Sequence, residues 1–137
     1  VLIGNDEENL MLGSVVGDFI DGRGDQDLIY SGDGEDEVHG GSGGDLVVAG
    51  LDDDFIEGKR GDDVLMGGQD NDIILGNEGN DELFGDTGDD TLEGDEGANI
   101  FHCGIGVDTI TDFDPSKDKK SDDCEIFDQN IPQDVVR

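Results

Sequence analysis

The sequence predicts an all-β fold, a parallel solenoid of about six 18-residue coils with a cap at the C-terminal end. Three observations carry this expectation. Read in blocks of nine from Gly4, the chain gives twelve blocks without insertion or deletion, from GNDEENLML to CGIGVDTIT, over residues 4 to 111. The sixth position of successive blocks holds Asn9, Asp18, Asp27, Asp36, Asp45, Asp54, Asp63, Asp72, Asp81, Asp90, Asn99 and Asp108, ten Asp and two Asn. The eighth holds Met11, Ile20, Ile29, Val38, Val47, Ile56, Leu65, Ile74, Leu83, Leu92, Phe101 and Ile110, apolar throughout. Two columns in phase over this length mark a repeat architecture, not acidic low-complexity sequence.

Each block ends in an x-apolar-x triplet, which suits a very short strand that points its middle side chain inward and its flanking two outward. The six residues before the triplet are rich in Gly, Asp and Asn, types that tolerate positive φ and make tight reversals. Strand, reversal, strand and reversal close a coil of 18 residues. Stacked coils place equivalent residues one rung apart, roughly 4.8 Å in the hydrogen-bonding direction. The sixth-position side chains then form two rows, one along each edge: Asn9, Asp27, Asp45, Asp63, Asp81 and Asn99 on one, Asp18, Asp36, Asp54, Asp72, Asp90 and Asp108 on the other.

Blocks such as GGQDNDIIL, GNEGNDELF and GGSGGDLVV resemble the GGxGxDxUx nonapeptides of the RTX family, the haemolysin-type calcium-binding repeats. The resemblance implies a right-handed parallel β-roll that binds Ca²⁺. GNDEENLML and GSVVGDFID, which make up the first turn, depart from the pattern by lacking glycines at the second and fourth positions.

The residue types fit that chemistry. A calcium ion holds its oxygens at about 2.3–2.6 Å, so an ion between two rungs can take an oxygen from each. Asp keeps its carboxylate close to the bend, and Gly lets main-chain carbonyls turn toward an ion. Hard oxygen donors with almost no imidazole or thiolate favour calcium over zinc or copper. Magnesium demands stricter octahedral geometry. The candidate ligands are Asp18, Asp27, Asp36, Asp45, Asp54, Asp63, Asp72, Asp81, Asp90, Asn99 and Asp108. Six loops per edge offer five spaces between loops, hence up to about ten ions; the two spaces that use Asn9 or Asn99 should be the weaker ones.

Charge points the same way. The 137 residues carry a formal net charge of −31, and residues 4 to 111 hold 30 acidic and 3 basic side chains. Nucleic acid and anionic membrane surfaces are excluded as partners, since both need Lys and Arg. No apolar run approaches the roughly 18 residues of a membrane span, and no signal peptide is evident. At 32% apolar residues and this charge, composition alone predicts disorder. Folding is therefore expected to depend on calcium, which relieves repulsion along the carboxylate rows.

The outward positions differ between the two sheets. One sheet presents Leu10, Leu12, Leu28, Tyr30, Leu46, Val48, Val64, Met66, Phe84 and Ile100 among its twelve outward residues; the other presents only four apolar residues. An apolar face of that extent calls for a cover, which is either the tail of this chain or a second copy or partner domain. Residues 1–111 are expected to form the roll and 112–137 a capping segment, with Phe113, Ile126 and Phe127 as plugs. DTITDFDPSKDK resembles the end piece that follows many RTX arrays. Cys103 and Cys124 both fall at the cap and are expected to form a disulfide, as an oxidising, extracytoplasmic setting allows. The pair departs from the cysteine-poor habit of the family and sets its usual export route in doubt.

Other signals are set aside. Arg23-Gly24-Asp25 and Arg60-Gly61-Asp62 arise readily in a Gly/Asp repeat, and no EF-hand spacing occurs. His39 and His102 fall on opposite sheets, and no nucleophile has a partnered base, so the reading is not an enzyme. The expected function is a calcium-binding structural or interaction module, extracellular or on a cell surface. The alternative is the accessory domain of a larger secreted enzyme such as a protease, lipase or epimerase. That reading is favoured by Val1, Leu2 and Ile3, which occupy the last three positions of a block that starts further upstream.

Overall fold

Alternation of one inward apolar residue with a Gly/Asp-rich bend builds the whole molecule. The computed structural model describes residues 1–126, and among these the chain forms fifteen strands and no α-helix. They are β1 (Leu2–Ile3), β2 (Leu10–Leu12), β3 (Phe19–Gly24), β4 (Leu28–Asp33), β5 (Glu37–Ser42), β6 (Leu46–Leu51), β7 (Phe55–Arg60), β8 (Val64–Gln69), β9 (Ile73–Glu78), β10 (Glu82–Thr87), β11 (Thr91–Glu93), β12 (Ile100–His102), β13 (Thr109–Ile110), β14 (Lys119–Lys120) and β15 (Glu125–Ile126). Successive strands go to alternate sheets. The odd-numbered strands stack into an eight-stranded sheet and the even-numbered ones into a seven-stranded sheet, in chain order. Every pairing is parallel, and register advances by one coil at a time, as in Ile20↔Val38↔Ile56↔Ile74.

The solenoid has about seven turns, one more than the nonapeptide blocks supply. The additional rungs come from both ends. Leu2 and Ile3 pair with Ile20 and Asp21, and the segment after residue 111 places Lys119 beside Ile100 and Glu125 beside Thr109. These last two pairings slip the 18-residue register to 19 and 16, which is why the periodic columns do not reveal them.

The eighth-position side chains form the core. All of them from Ile20 to Ile110 have no exposed surface, and Met11 at the N-terminal end retains 7%. Each contributes on the order of 1.5–3 kcal/mol by leaving water. Strands in the central coils run six residues instead of the three of the triplet, because main-chain pairing continues into the bend, as in Arg23↔Gly41 and Gly24↔Ser42. At the C-terminal end Phe113 packs against the core with its ring edge-on to Phe101, centroids 6.2 Å apart. Cys103 and Cys124 form the expected disulfide. Ile126 lies in register with Ile110, and Phe127 falls outside the described residues.

The two outer faces differ as their residues require. On the seven-stranded sheet Leu10 and Leu12 are 65% and 60% exposed, Tyr30 is exposed, and Leu28, Leu46, Val48, Val64, Met66 and Phe84 are half-buried by their neighbours along the columns. Its polar members, Glu82 and His102, pair with each other at 3.3 Å, and the imidazole stacks on Phe84. On the eight-stranded sheet His39 sits between Phe19 and Phe55 and shares a hydrogen bond of 2.9 Å with Glu37. The histidines are thus on opposite sheets, and His39 is partly enclosed instead of free on the surface.

Candidate metal centre

The bends acquire their shape from two backbone positions. From Arg23 to Gly106, the second and fourth residues of every block have positive φ, eight of them not glycine. The adjacent first position is constrained by space. A Cβ at Gly58 would strike both Asp63 Oδ2 and the main-chain oxygen of Gly76, so the missing side chain leaves room for the sixth-position carboxylate.

That carboxylate is half engaged. In each row the Oδ1 of one sixth-position residue accepts the main-chain N–H of its counterpart one rung earlier: Asp45 from Asp27 and Asp63 from Asp45 on one edge, Asp54 from Asp36, Asp72 from Asp54 and Asp90 from Asp72 on the other, all at 2.7–2.8 Å. The bond holds adjacent rungs together and fixes the side chain. The second oxygen is then buried with no donor in Asp27, Asp36, Asp45, Asp54, Asp63, Asp72, Asp81, Asp90 and Asp108. In Asn99 the orphan is Nδ2, because Oδ1 takes the Asp81 N–H. Asp18 differs: its Oδ2 accepts both the N–H and the hydroxyl of Ser14.

A buried carboxylate oxygen without a donor is costly as an anion. Burial pushes Asp45 and Asp81 up to about 6, Asp54, Asp63 and Asp90 up to about 7, and Asp72 up to about 8. The N–H from the preceding rung opposes each rise, and neighbouring carboxylates add to every one, for Asp72 those of Asp54, Asp90 and Asp53. In Asp18 the Ser14 bonds act the other way and lower its pKa.

These features meet the demands of a hard divalent cation: buried oxygens, negative charge, no competing donor, and a bend free of side-chain bulk. Among the described residues no three carboxylate, imidazole or thiolate side chains converge on one point. Each bend therefore offers one carboxylate per rung, and further oxygens would have to be main-chain carbonyls. At several bends the orphan oxygen and the first-position carbonyl of the next rung flank the same glycine, as Asp81 Oδ2 and Gly94 O do at Gly76.

Two elements of these bends escape the sixth-position column. Asp118, buried with 8% of its surface exposed, accepts the Asn99 N–H and so continues one row into the tail, 19 residues on instead of 18. At the fifth position, Asp53, Asn71 and Asp89 on one edge, and Asp62 and Asn80 on the other, accept the N–H one rung later at 2.8–2.9 Å. The signal for this second ladder was the run of Asx residues at positions 53, 62, 71, 80 and 89. It also engages Asp62 of the second Arg-Gly-Asp triplet.

The family model of the RTX calcium-binding nonapeptide repeat matches the chain in four copies, over residues 12–47, 39–74, 48–83 and 75–110. No curated protein and no solved structure matches it.

Proposed function

The chain belongs to the RTX calcium-binding nonapeptide repeat family, and from that premise we propose that it is a secreted or surface-exposed module that folds when calcium enters its bends. The observation that carries this reading is the pair of buried carboxylate rows, each member with one oxygen bonded to the rung before it and one without a donor. Bound calcium would supply positive charge and accept these oxygens.

Everything else is done by the chain. The Oδ1 bonds set the spacing of the rungs, the first-position glycines make room, and the eighth-position column buries apolar surface once neighbouring coils are in register. Without a cation the rows oppose stacking, since each rung adds another buried carboxylate beside the last. The proposed ligands are Asp27, Asp36, Asp45, Asp54, Asp63, Asp72, Asp81, Asp90 and Asp108, with Asn99 as a weaker member, because its amide nitrogen stands where an oxygen is needed.

Coupling of folding to calcium suits a chain that stays unfolded at low cytosolic calcium and orders outside the cell, and the disulfide between Cys103 and Cys124 suits the same oxidising setting. The apolar outer face of the seven-stranded sheet, centred on Leu28, Tyr30, Leu46, Val48, Val64, Met66 and Phe84, is the surface proposed to meet a second copy or a partner domain. The reading gives the roll a structural role and no catalytic one. Calcium titration followed by far-ultraviolet circular dichroism tests it: β signal should appear with calcium and disappear with chelator, and a spectrum indifferent to calcium would refute it.

A further inference from the structure

We infer that the loops at the two ends of the solenoid close themselves and take no ion, so that calcium enters only between the ten loops that lie between them. This rests on the calcium reading and narrows it.

The end loops share one device absent from the interior. In the first loop Asn9 Oδ1 accepts the N–H of Asn5 at 2.9 Å. In the second, Asp18 Oδ2 accepts the N–H of Ser14 at 2.7 Å and its hydroxyl at 2.8 Å. In the tail, Asp118 Oδ2 accepts the N–H of Asp114 at 2.8 Å, and the Asp114 carboxylate is itself held by the N–H and hydroxyl of Ser116. Each bond spans four residues and ties the side chain that ends the loop to an amide near its start.

The interior is the complement of this. Each of the ten blocks from Gly22 to Thr111 has positive φ at its second and fourth residues, and each has one orphaned atom on its sixth-position side chain, nine carboxylate oxygens and the Asn99 amide nitrogen. Neither feature occurs in the first two loops, and Asn5, Ser14 and Asp114 do not take positive φ. The two features belong together. Where the second residue turns to positive φ, its N–H is not bonded to the carboxylate, and the free oxygen needs a cation. Where it does not, the N–H supplies the counter-dipole and the loop is complete.

At Asp18 the Oδ2 is engaged by both the N–H and the hydroxyl of Ser14, while the Asp18 main-chain N–H goes to Asp36 Oδ1 as in the interior, so a cation would have to displace the Ser14 bonds. The remaining five loops on each edge leave four spaces, eight in all instead of ten. Seven of these have Asp on both rungs, and the eighth pairs Asp81 with Asn99. The self-closed loops stand at the ends of the stack, where an open solenoid otherwise exposes strand edge and an ion would have a rung on one side only.

Native mass spectrometry of the full chain in calcium tests the assignment by counting ions. The wild type should hold seven or eight. Asp18→Asn should hold the same number, whereas Asp54→Asn, in the middle of its row, should lose one or two. If Asp54→Asn fails to fold, Asp108→Asn at the end of the row should lose one. A wild-type count of nine or ten, or the loss of an ion from Asp18→Asn, overturns the inference and leaves the calcium reading intact. A wild type that retains no calcium overturns both.

Discussion

Two ladders of Asp and Asn run along the same bends and do opposite things. At the fifth position Asp53, Asp62, Asn71, Asn80 and Asp89 are exposed, reach to the following rung and bond its amide. At the sixth, Asp36 through Asp90 are buried, reach to the preceding rung, and keep one oxygen unpartnered. The residue types are nearly identical and the bonds equally short. What separates them is water: an exposed carboxylate has solvent for its second oxygen, a buried one has nothing. The first ladder is therefore complete as a hydrogen-bonded device, and the second leaves one buried oxygen per rung without a partner, the oxygen we propose a cation meets.

Acid should break that difference most strongly. Six sixth-position carboxylates have folded pKa values raised to between about 6 and about 8, against an ordinary value of 3.8. The folded chain therefore binds more protons than the unfolded one across this window, and the metal-free roll gains stability as these groups protonate. That stability is fully present below about pH 4 and lost as pH rises through 6 to 8. In chelator, circular dichroism should show β structure at pH 4 and its loss at pH 8. Calcium affinity should move the other way and strengthen over the same range, since ion and proton compete for one oxygen.

Single substitutions sharpen the contrast. Asp72→Ala removes the acceptor of the Asp54 N–H and a carboxylate bordering two spaces, so the calcium concentration at the folding midpoint should rise by roughly tenfold or more. The C-terminal end carries a covalent bond between its last coils. Cys103→Ser opens a disulfide that joins residues 21 apart and should cost on the order of 3 kcal/mol, read as a lower denaturation midpoint in saturating calcium. The fifth-position ladder should matter least. Asn80→Ala removes one exposed acceptor of the Ala98 N–H and should cost no more than about 1 kcal/mol, with the calcium midpoint nearly unchanged.

Most of this architecture was legible because the period is strict. The apolar residues from Met11 to Ile110 and the Asx residues from Asn9 to Asp108 gave the core, the two edges and the candidate ligands directly. Legibility failed where the period fails. Asp118 sits one residue out of step, so the column does not find it, although it makes the same bond to Asn99 that the repeats make to one another. Asp18 fits the column perfectly, and the difference in its surroundings comes from Ser14, a residue whose φ no spacing rule reports. The six-residue strands were also hidden, because pairing through Arg23, Lys59 and Asn77 depends on positive φ at residues that ordinarily avoid it.

The most direct measurement of the central claim is far-ultraviolet circular dichroism of the full chain at pH 8, in excess chelator and then in saturating calcium. The account predicts a disordered spectrum that converts to β structure when calcium is added. A β-rich spectrum already present in chelator would contradict it.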